Sequence, residues 1–108
     1  MNTFGITEKS YQLLLNAFIK FEEVEQVILF GSRAKGNYKK GSDIDLAIKG
    51  KNSSPSLALN LKAYLNEELP IPYFVDVIDY NSLNYQELKE HINRVGKPFY
   101  KKSDQLLS

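Results

Sequence analysis

Apolar side chains recur at helical spacing in three stretches of the chain, and each stretch has a recognisable start. Thr7 is a residue type that caps helix N-termini, Ser54-Pro55 is a cap followed by a first-turn proline, and Asn84 with Glu87 resembles a capping box. The apolar faces comprise Tyr11, Leu14, Leu15, Phe18 and Ile19, then Leu57, Leu61, Tyr64 and Leu65, then Tyr85, Leu88, Ile92 and Val95. The pattern predicts three helices that each bury one side.

Shorter apolar runs predict three β-strands, at 24–30, 43–48 and 73–78. A short helical turn is expected at 31–36 and a loop at 37–41. The second strand begins at the edge of the sheet where the first strand ends, so we expect these two strands to be antiparallel. The order helix, strand, turn, strand, helix, strand, helix contains no internal repeat. It predicts an α/β (α+β) fold in which a mixed three-stranded sheet is flanked by helices.

The remaining features of the pattern concern the end of the chain. Gly96 and Pro98 are expected to terminate the last helix, and residues 101–108 are expected to form a flexible tail. Residues 1–100 then form a single domain, which suits a chain of 108 residues with 43% hydrophobic residues. His91 lies at the margin of the last apolar stripe, and we interpret it as a structural histidine.

Composition excludes several classes of protein. The chain has no cysteine, so it has neither a disulfide framework nor a thiolate nucleophile. Its apolar runs are far shorter than the roughly 18 residues needed to span a bilayer, and no signal-peptide pattern is present. A net charge of +1 argues against strong nucleic-acid binding. We expect a cytoplasmic protein.

The end of the first apolar run has a sequence suited to an anion. Residues 27–30 are apolar and stop at Gly31-Ser32, as a buried strand does when it turns into a short helix. Unpaired backbone N–H groups at a helix start and a nearby hydroxyl suit a phosphate oxygen. A glycine that only lets the chain bend explains the same two residues.

Two aspartates open the second predicted strand. Asp43 and Asp45 alternate with Ile44 and Leu46, so both carboxylates point to one face while the aliphatic side chains point into the core. Paired carboxylates are hard oxygen donors, which favour Mg²⁺ or Mn²⁺ over zinc. Solvated acids at a strand start are the plainer explanation of an isolated pair.

The spacing joins these two features into one pattern. Residues 33–42 separate Gly31-Ser32 from Asp43, which gives Gly-Ser-x10-Asp-x-Asp. With this spacing the sequence resembles the nucleotidyltransferases of the DNA polymerase β superfamily, most closely their minimal, single-domain members. The likeness extends over roughly residues 7–100. It implies a palm-like fold and transfer of a nucleoside monophosphate, AMP from ATP, to a hydroxyl group.

The resemblance also implies a third carboxylate on a neighbouring strand. Asp76 lies between apolar residues in the run 74–78, where an unpaired acid is costly. Asp79 is the competitor, but strand alternation puts it on the opposite face and a turn explains it. Asp43, Asp45 and Asp76 are then the implied catalytic residues and the implied ligands of two Mg²⁺ ions, with Mn²⁺ as a substitute.

On the phosphate side, the resemblance implies that Gly31 and Ser32 bind the terminal phosphates. Arg33 and Lys35 are implied to balance charge on the leaving pyrophosphate. Minimal members of this kind resemble the antitoxin of toxin–antitoxin modules whose partner is a HEPN-domain ribonuclease. The implied acceptor is a tyrosine hydroxyl of that toxin, which AMPylation silences.

Two other functions are compatible with the same residues. The chain could neutralise its partner by binding alone, with the carboxylates as a nucleotide-binding relic. It could also be the catalytic subunit of a small-molecule nucleotidyltransferase of the aminoglycoside-modifying type.

Overall fold

The computed structural model describes residues 4–102, in which helices and strands alternate along the chain. The elements are helix α1 (Glu8–Lys20), strand β1 (Gln26–Phe30), helix α2 (Gly31–Lys35), strand β2 (Ile44–Lys49), helix α3 (Pro55–Glu67), strand β3 (Val75–Asp79), a 3-10 turn (Tyr80–Ser82), helix α4 (Gln86–Val95) and strand β4 (Lys97–Lys101). The predicted fold class, a mixed sheet flanked by helices, is confirmed.

The sheet has four strands in the order β3-β2-β1-β4, one more than the pattern predicted. Strand β1 is antiparallel to both β2 and β4, whereas β2 and β3 are parallel. The expected antiparallel pairing of the first two strands is therefore confirmed. Pro98, expected only to terminate the last helix, lies within the fourth strand, because an edge strand tolerates proline where the outward N–H needs no partner.

Helix starts follow the predicted caps in two of three cases. The Ser10 N–H donates to the side chain of Thr7 at 3.3 Å, and the Leu57 N–H donates to the side chain of Ser54 at 3.1 Å. The capping box at Asn84 is wrong, because α4 begins one residue later with Tyr85 as its cap and no side-chain cap bond. The 3-10 turn ahead of it leaves an extended segment that shifts the helix start.

Apolar side chains form two clusters, one on each face of the sheet. The larger cluster joins α1 and α3 to the sheet through Leu14, Phe18, Leu29, Leu46, Leu61 and Val75, among others. The smaller cluster contains Phe30, Ala47 and Ile92, and so lies under α4. Strand alternation puts Asp45 on the face of Ala47. The candidate carboxylates therefore share the face that α4 covers only in part.

Strand β4 is tied to the first helix by aromatic packing. The ring of Phe99 contacts those of Tyr11 and Phe18 edge to face, with centroids 5.1 and 5.9 Å apart. Ile19, predicted to face the core, is instead 50% exposed. Lys101, expected in the tail, pairs with Gln26 as the last residue of β4. Of the rest of the predicted tail, residues 103–108 lie outside the described residues.

No helix within residues 4–102 is both long enough and apolar enough to cross a lipid bilayer.

Candidate active site

Asp45 is the centre of the candidate site because the sheet register puts it between two other elements that contribute to it. It pairs with Phe30, the last residue of β1, and with Asp76 on the parallel strand β3. Neighbouring strands lie about 4.8 Å apart, so side chains in register on one face are in reach of each other. Asp43 lies two residues earlier, immediately before β2 begins.

The three carboxylates act on one another electrostatically. Burial raises the pKa of Asp45 above its ordinary 3.8, and the negative charges of Asp76 and then Asp43 raise it further. Burial and nearby like charges both disfavour the ionised form of a carboxylate, here that of the half-buried Asp45. The structure therefore places Asp43 and Asp76 close enough to Asp45 for their negative charges to act on it.

Gly31 has a steric role beside Asp45. Its φ of 75° is in the left-handed region, and a Cβ at this position would collide with the Oδ2 atom of Asp45. Only glycine combines that backbone conformation with that close approach. Gly31 and Ser32 also begin α2, where the first backbone N–H groups have no partner within the helix. The close approach of the Asp45 carboxylate to this turn thus requires glycine at position 31.

Arg33 is placed differently from the expectation. It is 2% exposed, and its guanidinium donates to the carbonyl of Ser42 at 2.8 and 3.1 Å and to that of Phe4 at 2.8 Å. The rings of Tyr38 and Tyr73 lie 5.0 and 4.9 Å from its guanidinium carbon. The expected role of Arg33 at the pyrophosphate is therefore wrong, because this cation holds the loop that leads into Asp43.

Lys35 remains available to an anion. It is exposed at the last position of α2, and Lys39 and Lys40 are exposed in the loop that follows. That loop also borders a hollow of about 580 Å³, together with Pro72 and Tyr73. None of the three aspartates lines this hollow, so it is a neighbour of the carboxylate site and not the site itself.

Lys62 is a member of the site that sequence reasoning missed. Its Nζ lies 3.1 Å from the Oδ1 atom of Asp76. In the sequence, Lys62 is a lysine directly after a residue of the apolar face, Leu61. This pattern does not indicate which strand the helix packs beside, so it could not predict the contact with Asp76. Asn66, one turn later, donates to the carbonyl of Val75 at 2.8 Å and accepts from its N–H at 2.9 Å. These bonds fasten α3 along the outer edge of β3.

Two neighbouring residues behave as the sequence predicted. Asp79 lies at the far end of β3, where it accepts a hydrogen bond from the Ser53 hydroxyl at 2.6 Å, so it does not join the other acids. His91 is half-buried and packs edge to face on Phe30, with ring centroids 6.4 Å apart. Its surroundings are those of a structural histidine.

The carboxylates of the site are candidate ligands of a divalent cation. Across the part of the chain that the structure describes, no three His, Cys, Asp or Glu side chains converge as a finished metal-binding group. Asp76 is directed to the Lys62 ammonium instead, and the carboxylates repel one another. Three carboxylates are nevertheless the hard donors that Mg²⁺ and Mn²⁺ prefer, and a cation would relieve the crowding around Asp45. The chemistry of these donors therefore fits such an ion.

A sheet of this topology, with acids on two parallel neighbours and a glycine-serine turn at the end of an antiparallel third strand, defines a nucleotidyltransferase. The family model described as "Polymerase beta, Nucleotidyltransferase" matches residues 12–105. The chain therefore belongs to the polymerase beta nucleotidyltransferase family. A search of curated protein sequences finds no match.

Solved structures share the fold at low sequence identity. A crystal structure of a toxin–antitoxin with AMP-PNP is 24% identical with a TM-score of 0.66, over 93% of this chain and 77% of that one. A structure of a tri-AMPylated Shewanella oneidensis HEPN toxin in complex with MNT antitoxin contains a chain that is 23% identical with a TM-score of 0.58, over 88% of this chain and 76% of that one. A putative nucleotidyltransferase from Sulfolobus solfataricus gives 23% and 0.50, over 88% and 86%. These likenesses establish the fold.

Proposed function

We propose that this chain is a Mg²⁺-dependent adenylyltransferase that moves AMP from ATP to a tyrosine hydroxyl of a HEPN-domain toxin and thereby acts as its antitoxin. The observation that carries the proposal is the alignment of Asp45 with Asp76 across parallel strands, next to the turn at Gly31. Family membership supports nucleotidyl transfer. The likeness to toxin–antitoxin structures, one of them AMPylated, supports the acceptor.

In this reaction the acceptor oxygen forms a bond to the α-phosphorus, the bond from that phosphorus to the pyrophosphate oxygen breaks, and pyrophosphate leaves. Bound divalent cations would neutralise the phosphates and orient the attacking oxygen. Asp43 and Asp45 would hold them, and Asp76 would complete the ligand set on the acceptor side. Asp76 would also accept the hydroxyl proton, because it would lie on the acceptor side and its side chain is 40% exposed.

The phosphate side uses the start of α2. The backbone of Gly31 and the hydroxyl of Ser32 would bind the terminal phosphates, and Lys35 would balance their charge. Arg33 contributes indirectly, because its bonds to the Ser42 carbonyl hold the residue next to Asp43. The position of Asp43 would thus be set before the phosphates bind, so phosphate binding need not supply the free energy to order it.

The experiment is a labelling assay with the purified chain, MgATP and its HEPN partner. We expect the mass of the partner to rise by one or more AMP units, at a tyrosine identified by peptide sequencing. Asp45→Asn should abolish the label. Asp79→Asn, an acid on the same strand as Asp76 but at its far end, is the matched control and should retain it. An unlabelled partner, or equal labelling by the Asp45 variant, would refute the proposal.

One observation favours the alternative of neutralisation by binding alone. The Lys62 ammonium occupies an oxygen of Asp76, and a pair of this kind that persisted would leave Asp76 without a catalytic role. In that case the Asp45→Asn variant would still suppress the toxin in cells while the toxin carried no AMP. Suppression that disappears together with the label would exclude this alternative.

A further inference from the structure

The contact between Lys62 and Asp76 is more specific than an incidental surface pair. The ammonium lies 3.1 Å from the Oδ1 atom of Asp76 and 5.5 Å from the ring centroid of Phe74. It is therefore held between a carboxylate and an aromatic face, both of which attract a cation. Phe74 and Asp76 belong to the same face of the β3 segment by strand alternation.

The backbone sets the position of this lysine. Leu61 and Leu65 are fully buried, so the rotation of α3 about its axis is determined by the core. Asn66 binds both backbone polar groups of Val75. With the helix fastened next to Val75, the side chain one turn earlier reaches across the outer edge of β3 to Asp76. The pairing is thus a consequence of the fold.

The pair is also easy to break. The Lys62 and Asp76 side chains are 36% and 40% exposed, and ion pairs of this exposure contribute little to stability. Lys62 is positioned by the fold but held only weakly by Asp76, and this suits a counter-ion that another cation can displace. The oxygen it occupies is one that the proposed reaction needs.

We propose that Lys62 is a positioning residue that acts through Asp76. Its ammonium neutralises the carboxylate of the free protein and withdraws when a divalent cation binds, so Lys62 sets the cation concentration at which the site fills. The inference rests on the proposed function, because it assigns Asp76 to the cation. A lysine that only guards the exposed edge of β3 against pairing with another strand would have no effect on cation binding.

The test is a titration of the full chain with Mn²⁺, followed by electron paramagnetic resonance of the free ion. We compare wild type, Lys62→Met, Lys62→Arg and Lys89→Met. Lys89 is the matched control, because its ammonium lies 5.5 Å over the ring of Tyr80 and its loss changes the net charge equally. Circular dichroism and thermal melting show that each variant is folded.

Lys62→Met should tighten Mn²⁺ binding by about fivefold, the effect on a divalent ion of one unit charge about 8 Å away in a largely aqueous setting. Lys62→Arg keeps the charge and should bind within about twofold of wild type, as should Lys89→Met. The Mg²⁺ concentration for half-maximal labelling should fall in Lys62→Met alone.

The outcomes separate the two proposals. Equal Mn²⁺ affinity in wild type and Lys62→Met, with labelling intact, overturns the role of Lys62 and leaves the proposed function standing. An equal gain in Lys62→Met and Lys89→Met also overturns it, because the cause is then net charge. Absence of both Mn²⁺ binding and labelling in the wild type overturns both proposals.

Discussion

Asp45 is the acid whose replacement tests the electrostatic description of the site, because burial and the charges of two other carboxylates all act on it. The change is Asp45→Asn, which keeps the size of the side chain and removes its charge. Without divalent cation we expect the variant to be more stable than wild type while losing all transferase activity. Most point mutations destabilise, so a gain in stability is a distinctive result.

The magnitude follows from the neighbours of Asp45. Carboxylates about 5 Å apart repel by about 1 kcal/mol per pair in a largely aqueous setting, and Asp76 is in register with Asp45 at this kind of separation. Asp43 adds a smaller repulsion and partial burial adds a desolvation cost. The expected gain is therefore about 1 to 2 kcal/mol in the free energy of unfolding. In a domain of this size, that raises the melting temperature by about 4 to 8 °C per kcal/mol.

The effect has a defined dependence on pH. Because the pKa of Asp45 is raised in the folded state, the folded state binds the proton more tightly than the unfolded state. Stability is lost as the pH rises from the ordinary aspartate pKa through the raised folded pKa, and the penalty is fully present above the folded pKa. The difference in stability between variant and wild type should thus grow as the pH rises through this window and should vanish on acidification.

The assay is urea denaturation followed by circular dichroism at pH 7 and at lower pH, with and without Mn²⁺. Mn²⁺ should stabilise the wild type and have little effect on Asp45→Asn. Asp79→Asn serves as the contrasting control, because it weakens a buried hydrogen bond with Ser53 and should destabilise by about 1 to 3 kcal/mol. A less stable Asp45→Asn protein at pH 7 without metal would show that the three carboxylates do not repel as described.

Three further substitutions test the parts of the structure that support the site. Gly31→Ala puts a Cβ against Asp45 at a left-handed φ, so urea denaturation should show a loss of about 1 to 3 kcal/mol in the free energy of unfolding. Labelling of the partner should fall as well. An unchanged denaturation midpoint would contradict the close approach of Gly31 to Asp45. Arg33→Lys cannot reproduce the bonds to the Ser42 carbonyl, so the backbone amides of the loop 36–43 should exchange their hydrogens faster than in wild type. Exchange rates equal to those of wild type would show that Arg33 does not hold this loop. Asn66→Ala removes both hydrogen bonds to Val75 and should lower the free energy of unfolding by about 1 to 3 kcal/mol, as measured by thermal melting. Unchanged stability would mean that α3 is held to β3 by its core residues alone.

Several features of this protein were determined by local sequence. The caps at Thr7 and Ser54 start helices because their side chains satisfy nearby backbone donors, and this needs only the next few residues. The alternation around Asp45 places acids on one face and aliphatic residues on the other because strand geometry has a period of two residues. The spacing from Gly31 to Asp43 was sufficient to indicate the nucleotidyltransferase family.

Other features depend on which elements become neighbours, and a local pattern does not contain that information. The register that puts Asp76 beside Asp45, the pairing of β4 with β1 and the docking of Lys62 on Asp76 all join residues distant in the chain. Arg33 illustrates the same point, since beside a glycine-serine turn it reads as a phosphate ligand. Only folding brings the Phe4 carbonyl and two tyrosine rings around it, and a guanidinium with those partners is structural.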